Sequence, residues 1–79
     1  MKRYIVILDR PRLCKEALLN TKVYEYFEDA LEDAIIHSVE APYGQLKMTW
    51  LPQENGRVDL VFTEPGRLLP EAVYEFIEV

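Results

Sequence analysis

Residues 23–40 read VYEYFEDALEDAIIHSVE, and the division of this stretch between helix and strand decides the fold. Val23, Tyr26, Phe27, Ala30, Leu31, Ala34, Ile35 and Ser38 recur at steps of three and one, the spacing of a helix stripe. Glu25, Glu28, Asp29, Glu32 and Asp33 fall between them and line the other side. The spacing predicts one long helix with a buried apolar stripe and an acidic face. A competing division makes residues 22–27, which are β-branched and aromatic, a strand, with the helix starting only near Glu28. The longer helix is the preferred reading.

Toward the N-terminus, Ile5-Val6-Ile7-Leu8 is nearly continuous and mostly β-branched, which predicts a strand over residues 1–9. Arg10-Pro11 ends it, because proline has no N–H for a ladder and restricts the residue before it. Pro11 then suits the first turn of a short helix running to about Leu19, with Leu13, Cys14, Ala17 and Leu18 on one side. Toward the C-terminus, Ala41-Pro42-Tyr43-Gly44 turns the chain. Leu46, Met48 and Trp50 alternate with polar residues, as do Val58, Leu60 and Phe62, and Asn55-Gly56 between them is a hairpin signal. Glu64-Pro65-Gly66-Arg67 fits a turn in which proline fixes one φ and glycine takes a positive one. Residues 72–79 fit a final strand better than a marginal terminal helix. The sum is an α+β domain of order β-α-α-β-β-β. It has one mainly antiparallel sheet of about four strands with one or two helices on one face, and the first strand parallel to a later neighbour.

Seventy-nine residues make a single domain, 1–79, which buries only about 60% of the surface its unfolded chain exposes. With 49% hydrophobic residues and nine aromatics the chain is not disordered. One cysteine, Cys14, makes no internal disulfide, and no secretory or membrane-spanning stretch is evident, so a cytoplasmic location is expected.

Chemistry is hard to find. His37 is the lone histidine, without a nucleophile or orienting partner signalled nearby, and reads as a part-exposed helix-end residue. Cys14 lies between Arg12 and Lys15, but on a short amphipathic helix it reads as a small buried hydrophobe. One Cys and one His do not make a zinc site, and the acids lack the calcium-loop pattern. Asp29 and Asp33, one turn apart, offer a carboxylate-only magnesium pair that surface acids mimic freely. Gly44, Gly56 and Gly66 are scattered and form no phosphate cradle. Trp50 reads as core opposite the helix. No cofactor, no metal and no enzymatic activity are expected.

Charge is the informative feature. The net charge is -5, yet residues 1–22 hold six basic and two acidic side chains. Residues 23–46 hold six acids (Glu25, Glu28, Asp29, Glu32, Asp33, Glu40) and no base. Like charges then meet at i,i+4 (Asp29–Asp33, Glu28–Glu32, Glu25–Asp29), where ordinary surface helices gain opposite-sign pairs. A solvated face kept acidic for solubility is the plainer explanation. The sharper one is a field aimed at a basic partner. Tyr24 and Ile36 fall off the apolar stripe near the acids, so both are expected to be part-exposed contacts.

In size, acidity and missing catalytic signature the chain resembles small early or accessory proteins of bacteriophages, which bind and inhibit host machinery. That resemblance implies a non-catalytic modulator in the host cytoplasm, acting on a host protein such as transcription machinery, and carries over no residue. The acidic helix face itself supplies the expected contacts, Tyr24, Glu25, Glu28, Asp29, Glu32, Asp33 and Ile36, for a basic surface of that protein. Two other readings stand beside it. One is nucleic-acid binding through the basic N-terminal segment (Lys2, Arg3, Arg10, Arg12, Lys15), which the overall acidity disfavours. The other is a structural homodimer joined along a sheet edge. A membrane partner is not expected.

Overall fold

The computed structural model describes residues 2–43 and 45–79. Met1, at the start of the first expected strand, and Gly44, in the expected turn, lie outside them. The described chain forms β1 (Tyr4–Arg10), a 3-10 turn (Pro11–Leu13), β2 (Lys15–Leu18), α1 (Phe27–Glu40), β3 (Lys47–Pro52), a second 3-10 turn (Glu54–Gly56), β4 (Val58–Thr63) and β5 (Ala72–Glu78). The five strands make one sheet in the order β2-β1-β5-β4-β3, every pair antiparallel. The protein is α+β, with a single helix packed against one face of that sheet.

Two expectations are corrected. The short helix over residues 11–19 is instead a hairpin. Pro11 opens only a three-residue turn, closed by the Cys14 N–H donating to the Pro11 carbonyl at 3.2 Å. Cys14 then adopts a left-handed backbone (φ 50°), which swings the chain back so that β2 pairs along β1, Leu18 opposite Ile7 and Lys15 opposite Arg10. Leu13, Cys14, Ala17 and Leu18 are consequently exposed, not buried on a helix. The second correction follows from β5. It lies between β1 and β4 and runs antiparallel to both, so β1 has no parallel neighbour and the sheet has five strands, not four.

The long-helix reading is also corrected, in favour of the shorter one. Tyr24 exchanges two backbone hydrogen bonds with Tyr4, N–H to C=O in both directions at 2.8 Å. That holds residue 24 extended, so α1 can begin only at Phe27, after Tyr26 at φ -120° and ψ 135°. The buried stripe shrinks accordingly. Ala30, Ala34 and Ser38 are buried, Phe27 and Leu31 half-buried, and Val23, Tyr26 and Ile35 exposed.

Alternation does the rest. Val6 faces Phe76, Leu8 and Leu60 both face Tyr74, and Phe62 faces Ala72, which puts these residues on the face the helix covers. Tyr74, Phe76, Leu60 and Val6 are its largest fully buried side chains. Small Ala30 and Ala34 let α1 approach this surface closely, over β1 and β5. Phe27 is the keystone of the contact. Its ring lies 5.6 Å from Tyr4, 5.9 Å from Trp50 and 5.3 Å from Phe76, all edge-to-face, the favoured aromatic geometry. Trp50 sits on the expected face but stays 42% exposed, because the one helix does not reach over β3. The 20 Å short dimension matches two layers. Both expected turns form: Gly56 (φ 74°) closes the β3–β4 hairpin and Gly66 (φ 82°) takes the strained position after Pro65.

Removing the Phe27 ring takes edge contacts from three aromatics at once. Phe27→Ala is expected to cost about 3 kcal/mol or more, a large part of the roughly 5–10 kcal/mol available to a domain of this size. Urea denaturation followed by circular dichroism checks this, with loss of helix signal as the readout.

Candidate functional site

The start of α1 at Phe27 fixes where the acidic side chains go. At 100° per residue, Glu28, Asp29, Glu32 and Ile36 lie on the side turned away from Ala30 and Ala34. Glu28, Asp29 and Glu32 are exposed, Ile36 is 47% exposed, and Glu25 is exposed just ahead of the helix. Tyr26 (64%) and Val23 (52%) add apolar surface at the same end. Sequence reading assigned both to the core; the extended backbone at Tyr24 is what turns them out.

Among the described residues, six of the fourteen carboxylates form ion pairs: Asp33, Asp59, Glu64, Glu71, Glu75 and Glu78. Glu25, Glu28, Asp29 and Glu32 form none. Two of these have a local structural reason as well: Glu28 and Asp29 occupy the first turn, where the helix dipole favours negative charge. Glu32, a full turn further on, gains little from that.

Two residues expected on this face are withdrawn from it. Tyr24, expected part-exposed, is buried at 7% exposure, because its backbone is bound to Tyr4 and its ring turns inward. Its hydroxyl donates to Asp33 Oδ2 at 2.6 Å and accepts from Asn20 Nδ2 at 2.7 Å. Lys22 Nζ reaches the same Asp33 oxygen at 3.2 Å. Asp33 is therefore clasped. The Tyr24 bond, helped by Lys22 and opposed by burial, holds its carboxyl below the usual range. Burial and the Asp33 bond together push the Tyr24 hydroxyl up. Lys22, Tyr24, Asp29, Glu32 and Asp33 line an open hollow of about 320 Å³ along the ridge.

A second acidic group occupies the sheet face away from the helix. Asp9, Glu16 and Glu75 bring one carboxylate oxygen each within 4.8 Å of one another. Arg57 donates to Glu75, the one buried member, and, at 3.1 Å, to the neighbouring buried Asp59, so these two share a counter-ion. Burial raises the Glu75 carboxyl, and Arg57 pulls it the other way. The arrangement is an internal charge network on a sheet surface that no helix or strand among the described residues covers.

The remaining expectations divide. His37 is half-buried as expected, but it has a partner the sequence did not signal: Nδ1 lies 2.7 Å from the Tyr74 hydroxyl. Cys14, expected buried, is exposed. The basic N-terminal segment is divided: Lys2 is held by Glu78 and Arg12 by Glu71, while Arg10 and Lys15 lie opposite each other on β1 and β2. Among the described residues no helix is long and apolar enough to cross a membrane. No protein-family model, curated protein or solved structure matches this chain.

The Tyr24–Asp33 bond generates a pH test. Because the folded Asp33 carboxyl titrates below its unfolded value, its contribution to stability is present above the unfolded pKa and is lost as pH falls through the folded one. Tyr24→Phe removes the leading cause. It is expected to raise the Asp33 pKa and to cost about 1 kcal/mol near pH 7, the carboxylate being part-exposed. That penalty should shrink near pH 2. Denaturation at the two pH values, with side-chain carboxyl NMR of Asp33, measures both.

Proposed function

We propose that this chain is a non-catalytic protein-binding modulator, of the kind that bacteriophages direct at host proteins, and that Glu25, Glu28, Asp29 and Glu32 with Ile36 are its contact surface. The observation that carries this reading is the absence of any cationic partner for these four neighbouring carboxylates among the described residues, in a chain where six of the other ten acids are paired. Like-charged neighbours at i,i+4 repel, and Glu28–Glu32 keeps that arrangement in the helix. A basic protein surface relieves the repulsion on binding. Ile36, Tyr26 and Val23 supply apolar area beside the charge, the mixture that interface cores use. The hollow beside Asp29 and Glu32 has room for a lysine or arginine head. Tyr24 and Asp33 act in this account as the clasp that positions the helix, not as contacts.

Self-association has its own supporting observation. β3 is an outermost strand with five of its six residues exposed, among them Met48, Trp50 and Leu51. An edge of this kind pairs readily with a second copy. Sedimentation velocity distinguishes the two readings: a monomer agrees with the first, a concentration-dependent dimer with the second.

Capture from a host lysate at increasing salt tests the proposal. The wild type is expected to retain a basic protein that leaves between about 0.1 and 1 M salt, as the screening length falls from about 10 to 3 Å. Converting Glu25, Glu28, Asp29 and Glu32 to Lys should abolish capture. The milder Gln and Asn replacements, which spare the fold, should weaken it. Retention of the same protein by the reversed variant, with its helix signal intact, contradicts the assignment.

A further inference from the structure

Among the described residues five of the nine bases hold carboxylates: Lys2, Arg12, Lys22, Arg57 and Arg67. Among the described residues Arg3, Arg10, Lys15 and Lys47 do not, and two of these four line a single cavity. It lies between the β1–β2 hairpin and α1, with a volume of about 210 Å³. Arg10 and Lys15 occupy directly opposed positions on the two strands, so their side chains leave the sheet on the same face, the one α1 covers. His37 closes the cavity from the helix, and Leu8, Ala17 and Leu19 give it an apolar floor. No Asp or Glu lines it, in a protein of net charge -5.

The polar groups are held in place. Tyr74 is fully buried, and its hydroxyl fixes the imidazole through Nδ1 at 2.7 Å. Burial keeps that hydroxyl protonated, so it can donate to Nδ1 and leave Nε2 as the N–H donor of the ring. The Arg10 guanidinium lies 6.0 Å from the centre of the Tyr43 ring, a cation–π seat that orients the planar group. Its Nε is a buried side-chain nitrogen without a hydrogen-bond partner. A buried N–H with nothing to donate to costs about 1–3 kcal/mol, and such groups mark places where something else binds.

We propose that this cavity binds a phosphate monoester. Arg10, Lys15 and His37 all line it, and a guanidinium, an ammonium and an imidazole around one cavity suit an oxyanion of two charges better than a singly charged carboxylate. Its volume of about 210 Å³ admits a phosphate with a small organic group. The site is independent of the acidic ridge. Its ligand is a small molecule, not the phosphodiester backbone of a nucleic acid, because of the other basic residues of the N-terminal segment that could follow a strand, Lys2 and Arg12 are bound to Glu78 and Glu71, and Arg3 does not line the cavity.

NMR titration of the full chain tests it, observing the Arg10 Nε–H, the amides of residues 15–19 and the His37 ring. Inorganic phosphate and a simple sugar phosphate are expected to give saturable shifts confined to these groups. Arg10→Gln and Lys15→Gln should each weaken binding about tenfold or more, the second at an exposed position that leaves folding untouched. Lys47→Gln, another unpaired base on the opposite sheet edge, should change nothing. Acetate and a single-stranded oligonucleotide with a 5′-hydroxyl end should not saturate the site. Failure of phosphate to saturate, equal binding of acetate or of the oligonucleotide, or indifference to both cavity variants overturns the proposal.

Discussion

Two backbone hydrogen bonds between Tyr4 and Tyr24 determine most of what this molecule presents to its surroundings. They hold the connection after β2 against the first strand, so the chain stays extended through residue 24 and the helix begins at Phe27. With the start fixed there, Phe27 falls among Tyr4, Trp50 and Phe76, and Ala30 and Ala34 meet the sheet. Glu28, Asp29 and Glu32 have no choice but to face outward. The Tyr24 side chain adds a second constraint by holding Asp33, which sets one flank of the helix against the chain that precedes it. A helix started one residue earlier would turn every side chain by about 100° and bring carboxylates toward the core.

The fold has few layers and uses them unevenly. One fourteen-residue helix covers part of one sheet face, and among the described residues no helix or strand covers the opposite face. Stability therefore rests on a short list of large rings and on charge pairs that tie strands together, Arg57 with Asp59 and Glu75 above all. Among the described residues eleven of the twenty-three Asp, Glu, Lys and Arg side chains are paired internally. Of the twelve left over, four acids gather at the start of α1, and two bases line, with His37, the cavity beside its second half. The same helix thus separates a negative surface from a positive hollow. This separation gives the two proposed sites opposite charge preferences and lets them act without competing for ligands.

Much of the sheet was legible from alternation alone. β1, β3, β4 and β5, the Gly56 and Gly66 turns and the antiparallel two-layer plan follow from apolar periodicity and turn chemistry. Two segments were not legible. Residues 13–18 carry an apolar spacing compatible with a helix, and nothing local announces that Cys14 takes the left-handed backbone that makes a hairpin instead. Residues 22–26 were open to both readings, and a long-range pairing with Tyr4 settled them. Neither reading holds in full there: the helix starts late, and in place of a strand only the single Tyr24–Tyr4 bridge forms. The acidic ridge was visible as composition, but its membership was not. Tyr24 and Asp33 left it and Tyr26 and Val23 joined its edge because of that same non-local bridge. The cavity was invisible in sequence, since Arg10, Lys15 and His37 meet only after β2 folds back on β1.

The ridge at the start of α1 is the free negative surface of this protein, whereas Asp59 and Glu75 on the open sheet face are held by Arg57. Titrating the labelled protein with a short oligolysine at low salt, and following backbone amides and carboxyl carbons by NMR, addresses this contrast directly. The account expects salt-sensitive shifts concentrated at Glu25, Glu28, Asp29, Glu32 and Ile36, with Asp59 and Glu75 unmoved. Shifts centred on Asp9, Glu16 and Glu75, or spread evenly over all fourteen acids, would contradict it.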